Sequence, residues 1–246
     1  MESPVGCKME SPDISVVVLA YQSASTIEGF VASLVTSLEE EKIDWEIILV
    51  GNYFEGTGDQ TPEMVQRISD RNPRIKTVVK VKEGMMGWDM KSGLQAATGK
   101  KLAVIDGDGQ MPCTDVIRVY NLMIKKGYDL VKTVRIKRSD GWYRISISTV
   151  YNLLFKVMFP GINAWDINSK PKIITRELYQ KMNLESNGWF IDAEIMIIAR
   201  RLKIGIGEIE TTFHSIHSRP SFVKPLAILE SLVNLIWYRI KEFGAK

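Results

Sequence analysis

An α/β domain with a mostly parallel central sheet and helices on both faces is predicted by three observations. Short β-branched runs are apolar at nearly every position instead of alternating with polar residues, which marks strands buried on both sides. Helical stretches separate these runs, giving a strand–helix alternation over the first hundred residues. Loops containing Gly, Asp or Ser follow the runs, at the sheet edge where ligands bind in such folds.

Ile14 to Ala20 (ISVVVLA) reads as the first strand, and Tyr-Gln-Ser-Ala-Ser-Thr behind it as a loop capping a helix that runs to Glu41. Glu46 to Val50 (EIILV) is the second strand; a Gly-containing loop to Asp59 follows, then a helix opened by Thr61-Pro62, with Pro in the first turn. Ile75 to Val81 is a third strand, Met90 to Ala97 a helix that Gly99 can stop, and Leu102 to Ile105 (LAVI) a fourth strand. Further on, Leu130 to Val134 reads as a strand, Ile145 to Phe159 and Ile191 to Leu202 as helices, and Ile204 to Thr212 as strand-like. Three loops follow from this order as places to look for a site: Tyr21 to Ser25, Gly51 to Asp59 and Asp106 to Pro112.

With 246 residues, 45% hydrophobic and 25% charged, the chain is ordinary globular material able to bury a sizeable core. A net charge of +3 is too small to imply nucleic acid. Cys7 and Cys113 stand in unrelated contexts without metal-ligand spacing, so a reducing, cytoplasmic setting is expected instead of a disulfide or zinc framework. No run approaches the roughly 18 apolar residues of a membrane span. Residues 1–12, with Met-Glu-Ser-Pro twice, are expected to be a flexible tail; 13–224 form the domain, and 225–246 a terminal helix.

Asp106-Gly-Asp-Gly-Gln110 is the richest loop. Two carboxylates at i and i+2 beyond a strand end can turn toward one cation, and Gly107 and Gly109 allow close backbone approach to a bulky anion. Magnesium or manganese held by one or two carboxylates and a diphosphate fits that pattern, with Gln110 adding a neutral oxygen. A simple Asp/Gly turn explains the string as well. An EF-hand does not, because counting from Asp106 the glycine position is Met111 and the twelfth is Ile117.

Gly99 to Pro112 (GKKLAVIDGDGQMP), the glycine-spaced Gly84 to Gly99, Phe190-Ile-Asp-Ala-Glu194 and Arg219-Pro-Ser-Phe-Val-Lys224 occur in that order. Together they resemble family-two glycosyltransferases of the GT-A fold, most closely dolichol-phosphate mannose synthases, over about residues 13 to 240. The resemblance implies a donor site at Ala20, Tyr21, Gln22, Asn52, Gly84, Asp106, Gly107 and Asp108, and a metal held by Asp106, Asp108 and Gln110. Leu19-Ala-Tyr-Gln-Ser23 departs from the family's Pro-x-Tyr-Asn-Glu, and Gly51-Asn52 from its Asp-Asp or Asp-Asn. The diphosphate half of the site therefore matches better than the base half.

Lys132, Arg135, Lys137, Arg138 and Arg144 lie close together, with Trp142 and Tyr143 among them. Taken alone, the cluster reads as a solvated face or as a short single-stranded nucleic-acid platform, and the small net charge weighs against the latter. By resemblance, Arg135, Arg144, Ser148, Arg219 and Lys224 bind the acceptor phosphate, and Arg144 and Ser148 are spaced i, i+4. Asp108, Arg144 and Asp192 are the catalytic candidates. Asp192 would orient acceptor or sugar, or else act only as a carboxylate at a helix N-terminus. His214 and His217 lack a third ligand and make a poor zinc site.

Pro225 to Lys241 has apolar residues at helical spacing, with Trp237 and Tyr238 beside Arg239 and Lys241. It suits docking on the domain or a helix at a lipid interface, and Val150 to Phe159 poses the same choice. The implied activity is inverting transfer of a hexose from a nucleoside diphosphate sugar to a polyprenyl or dolichyl phosphate, on the cytoplasmic face of a membrane. A saccharide hydroxyl as acceptor and a non-catalytic binding protein are the alternatives.

Overall fold

The computed structural model describes residues 11–138, 141–214 and 225–244. The expected alternation is present: β1 (Ile14–Leu19), α1 (Ile27–Glu40), β2 (Trp45–Val50), α2 (Thr61–Ser69), β3 (Ile75–Val78), α3 (Met86–Ala96) and β4 (Lys101–Asp106). Then follow α4 (Thr114–Lys126), β5 (Leu130–Arg138), α5 (Trp142–Met158), β6 (Lys172–Thr175), α6 (Arg176–Lys181), α7 (Ile191–Arg201), β7 (Ile206–Phe213) and α8 (Pro225–Gly244). Every residue of β1 and β2 is buried, as unbroken apolar runs demand of strands covered on both sides.

Among the described residues the sheet has seven strands in the order β3-β2-β1-β4-β6-β5-β7. β6 pairs antiparallel with both β4 and β5, and the other pairings are parallel. One core lies on each face. Val17, Ile48, Leu94 and Val104 meet Phe155, Phe190 and Ile195 on one side. Val16, Ile47, Leu34 and Ile105 meet Val65 and Val116 on the other.

Three elements were not expected. α4 is encoded by apolar residues at helical spacing, Val116, Val119 and Met123, and ends at Gly127 in the left-handed conformation (φ 68°). β6 is four residues long and begins with a lysine, and α6 follows it directly, capped by Thr175 Oγ1, which accepts from Leu178 N. α3 starts one turn earlier than expected, at Met86, and β3 stops at Val78, leaving only a single bridge from Tyr53 to Val81. α8 docks on the first core through Leu235 and Tyr238, with Phe190 5.0 Å from the Tyr238 ring.

α3 crosses β1 and β2 at Gly93, where a Cβ would overlap Val17 and lie 2.7 Å from Val50 Cγ2. Gly93→Ala is therefore expected to lower unfolding stability by about 1–3 kcal/mol through overpacking, against any gain in helix propensity. Denaturant titration checks this, and a more stable variant would contradict it.

Candidate active site

The ends of β1, β2 and β3 build one half of the site. Ala20 N donates to Val50 O (3.0 Å), which sets Tyr21 beyond the sheet, and Gln22 (φ 48°) turns its N–H to Asp59 Oδ2 (3.1 Å). Tyr21 meets the Phe54 ring edge-on at 6.1 Å, and Lys82 Nζ stands 4.5 Å from the Tyr21 centroid. Burial, with Asp59 and Asp89 nearby, raises the Tyr21 hydroxyl above its ordinary range. Next to this aromatic corner is a cavity of about 310 Å³ lined by Tyr53, Phe54, Gly58, Asp59, Pro62 and Val79.

Asn52, expected at the donor, is fully buried: its Nδ2 donates to Asp89 Oδ1 (2.9 Å) and its Oδ1 accepts from Lys80 N (2.9 Å). It fixes Asp89, which is ion-paired to buried Lys82, and so shapes the wall behind Tyr21. Gly84 has a packing task as well. A Cβ there would lie 2.7 Å from Asn187 O and 2.9 Å from Trp88 Cβ. Gly107 likewise makes room for Ile27 and Val18, since a Cβ would lie 2.7 and 2.8 Å from them.

At the end of β4, Asp106 is 37% exposed and Asp108 Oδ1 accepts from Gln110 N at 2.9 Å. Gly109 sits at φ 77° with open space where a Cβ would be, as a tight turn requires. The Gln110 side chain, expected at the metal, donates instead from Nε2 to His214 O (3.3 Å), while His214 N donates to Gln110 O (2.9 Å). These bonds tie the acidic loop to the end of β7. The two accessible carboxylates are hard oxygen donors of the type magnesium and manganese accept alongside phosphate oxygens. Among the described residues no group of three His, Cys, Asp or Glu side chains converges on one point.

Beneath the loop lies a buried charge cluster that the sequence analysis did not anticipate. Asp192, in the first turn of α7, is fully buried; Lys172 Nζ donates to its Oδ1 (2.5 Å) and Lys170 Nζ stands 3.1 Å from its Oδ2. Burial opposes ionisation of Asp192, but the two lysines outweigh it and hold the carboxyl below its usual range. Burial pulls Lys172 down to about 8 despite Asp192. Arg135 is clamped by Asp166, with Nε to Oδ2 at 2.7 Å and Nη2 to Oδ1 at 2.5 Å. Glu194 accepts from Glu185 N (2.7 Å), Ser186 N (2.9 Å) and Tyr238 Oη (2.6 Å). Both acidic residues of the Phe190–Glu194 motif thus serve the scaffold at close range. Arg144 and Ser148 lie on α5, half-buried, at the expected i, i+4 spacing. Arg219, Lys224 and His217 are outside the described residues.

A mixed sheet with one reversed strand, an aromatic corner beyond β1 and an acidic pair beyond β4 defines the GT-A class of glycosyltransferase folds. The chain belongs to glycosyl transferase family 2, whose model matches residues 15–190. It is similar to mannosyl-3-phosphoglycerate synthase from Rubrobacter xylanophilus: TM-score 0.73, 16% identity, 96% of this chain and 76% of that one covered. It is also similar to glucosyl-3-phosphoglycerate synthase from Mycobacterium tuberculosis in complex with UDP (TM-score 0.71, 18% identity, 93% and 80% covered). A second structure of the mycobacterial enzyme, with Mn2+, UDP-glucose and phosphoglyceric acid, gives a TM-score of 0.70 at 17% identity, covering 93% and 80%.

Asp166 offers a test of the cluster by pH. Its burial opposes ionisation, yet the Arg135 contacts lower its pKa, so its stabilisation is present above the ordinary carboxylate range and fades as pH falls through it. Asp166→Asn should therefore melt well below the unsubstituted protein at pH 7, by about 3 kcal/mol for a broken buried pair. The gap should narrow as pH falls through the ordinary carboxylate range and go on closing through the lower folded-state pKa of Asp166. Parallel melting curves check it; a gap that does not change with pH would refute the account.

Proposed function

We propose that the protein transfers a hexose, with inversion, from a nucleoside diphosphate sugar to a polyprenyl phosphate at a membrane surface. The observation that carries this reading is the set of exposed large apolar side chains on α5, Trp142, Ile145, Val150, Leu153 and Val157, in the helix that carries Arg144 and Ser148. Tyr21, Gln22 and the cavity beside Phe54 are assigned to the nucleoside, and Asp106 and Asp108 to Mg2+ or Mn2+ with the donor diphosphate. When bound, such an ion neutralises charge on the leaving diphosphate. The mycobacterial glucosyl-3-phosphoglycerate synthase named above binds Mn2+, UDP-glucose and phosphoglyceric acid, which supports a phosphate acceptor in general.

A phosphate oxygen is already ionised near neutral pH and attacks the sugar C1 without a base, while the C1–O bond to the diphosphate breaks. Positioning and charge neutralisation then dominate. By the resemblance the incoming phosphate is assigned to Arg135, Arg144 and Ser148, with Arg219 and Lys224; of these Arg135 is already ion-paired to Asp166. A saccharide hydroxyl would need a general base. Asp192, one of the catalytic candidates, is buried between two lysines, which argues for a scaffold role.

The lipid part rests on the α5–α8 face. Trp142 is 80% exposed and Val157 70%, and Val150 and Leu153 join them on α5; Leu229, Val233, Ile236, Trp237 and Ile240 are exposed on α8. Lys156 stacks on Trp165 and Lys241 on Trp237, putting cations among the aromatics as at an anionic lipid interface. No helix among the described residues is long and apolar enough to cross a membrane. A small soluble acceptor leaves this face unexplained.

Two measurements test the reading. Asp108→Ala should lose metal-dependent transfer from UDP-glucose or GDP-mannose to polyprenyl phosphate by at least about a hundredfold, with an unchanged melting curve; full activity would remove the mechanism. In sedimentation with phosphatidylglycerol vesicles, the wild type should pellet, and Val157→Glu with Val233→Glu should not. Failure of the wild type to bind, with transfer to phosphoglycerate instead, would replace the lipid acceptor by a soluble one.

A further inference from the structure

Lys170 is nearly inaccessible to water, yet it touches both the interior and the active edge. Its Nζ lies 3.1 Å from Asp192 Oδ2 and 3.4 Å from Asp106 Oδ2. Asp192 is fully buried, whereas Asp106 is over a third exposed and opens on the acidic loop. Met86 Sδ closes a third side at 3.1 Å. The backbone is fixed too: Thr133 Oγ1 donates to Lys170 O (2.7 Å) and lies 2.6 Å from Ser169 Oγ, and Thr133 N donates to Pro171 O (3.2 Å). Unlike a surface lysine, this one cannot swing into solvent.

A fixed ammonium beside Asp106 changes what the acidic pair can hold. A divalent ion arriving alone meets two carboxylates and, against one of them, a positive charge that does not leave. Like charges a few ångströms apart at low dielectric repel strongly. Asp192 offsets Lys170 only in part, because it also serves Lys172 and lies on the far side of the ammonium from Asp106 in the chain of contacts. The donor brings a diphosphate with at least two negative charges to the same place, and the balance then favours the ion.

We propose that Lys170 is a positioning residue that makes cation binding depend on the donor: it weakens the hold of Asp106 and Asp108 on a divalent ion alone, and the diphosphate restores it. The proposal deepens the function assigned above and rests on Asp106 and Asp108 being the metal site.

The test is Mn2+ titration of the full chain, read by the spin-resonance signal of free Mn2+, without nucleotide and then with saturating UDP or GDP. Lys170→Met and Lys170→Gln should bind Mn2+ alone about tenfold tighter than the wild type, as expected for loss of a nearby like charge. Lys170→Arg, which keeps the charge, should stay close to the wild type. Nucleotide should tighten Mn2+ binding more in the wild type than in either neutral variant. A lysine with only a packing role predicts the reverse, a looser loop and weaker Mn2+ in both neutral variants, and that result overturns the proposal. Should neither neutral variant fold, the wild type still decides: Mn2+ affinity unchanged by both nucleotides rejects the coupling. Adding Asp108→Ala separates the two levels. Gained affinity that survives it places the ion elsewhere and removes the metal site itself, whereas loss of binding in Asp108→Ala with no gain in Lys170→Met removes only the role of Lys170.

Discussion

A carboxylate with no access to water persists as an ion only where cations meet it, and at Asp192 two do. Desolvating an ion costs several kcal/mol, which close pairing must offset. The contacts of Asp192 therefore fix three parts of the molecule at once: the first turn of α7, the start of β6 and, through Lys170, the acidic loop beyond β4. The neighbouring pairs obey the same constraint, with Lys132 held by Glu208 and Arg135 by Asp166. Charges that look like surface residues in the sequence are the framework of this edge.

The aromatic corner follows a related rule. Lys82 is buried and ion-paired to Asp89, and its ammonium also lies over the Tyr21 and Phe54 rings, 4.5 and 5.7 Å from their centroids. Asn52 steadies Asp89 from behind. Lys82, Asp89 and Asn52 are thereby committed to one another beside the Tyr21 ring, while Asp59 and Glu63 line the cavity together with Phe54.

The sheet's first four strands, their helices and the acidic loop were legible because each is a local signal: an unbroken apolar run, a Pro in a first turn, two carboxylates two residues apart. The charge cluster was not. Lys170 and Lys172 flank a proline in Ser169-Lys-Pro-Lys172, and lysine is so rarely buried that such a string reads as a loop. Only the reversed pairing of β6 brings them under Asp106. Motif residues were also easier to find than to assign. Gly107 reads in the sequence as room for an anion and Gly84, by resemblance, as a donor residue, and beside them lie the side chains of Ile27 and Val18 and residues 187 and 88. Asp192 and Glu194 were found from a motif, and their roles depend on partners 20 and 44 residues away. α4 is a different case: its spacing and terminal Gly127 were present in the sequence, with no chemistry to draw attention to them.

β6 reaches the reactive edge with its beginning, whereas its antiparallel neighbours β4 and β5 reach it with their ends. Connections that follow the parallel strands can lengthen, shorten or exchange side chains without changing the strand order. Lys170 and Lys172 enter the same edge from the opposite direction, laced to β5 by Thr133 and Ser169. The architecture thus sets loops that follow the parallel strands beside a floor of buried charge that enters from the other direction, so that a change in the one need not rebuild the other.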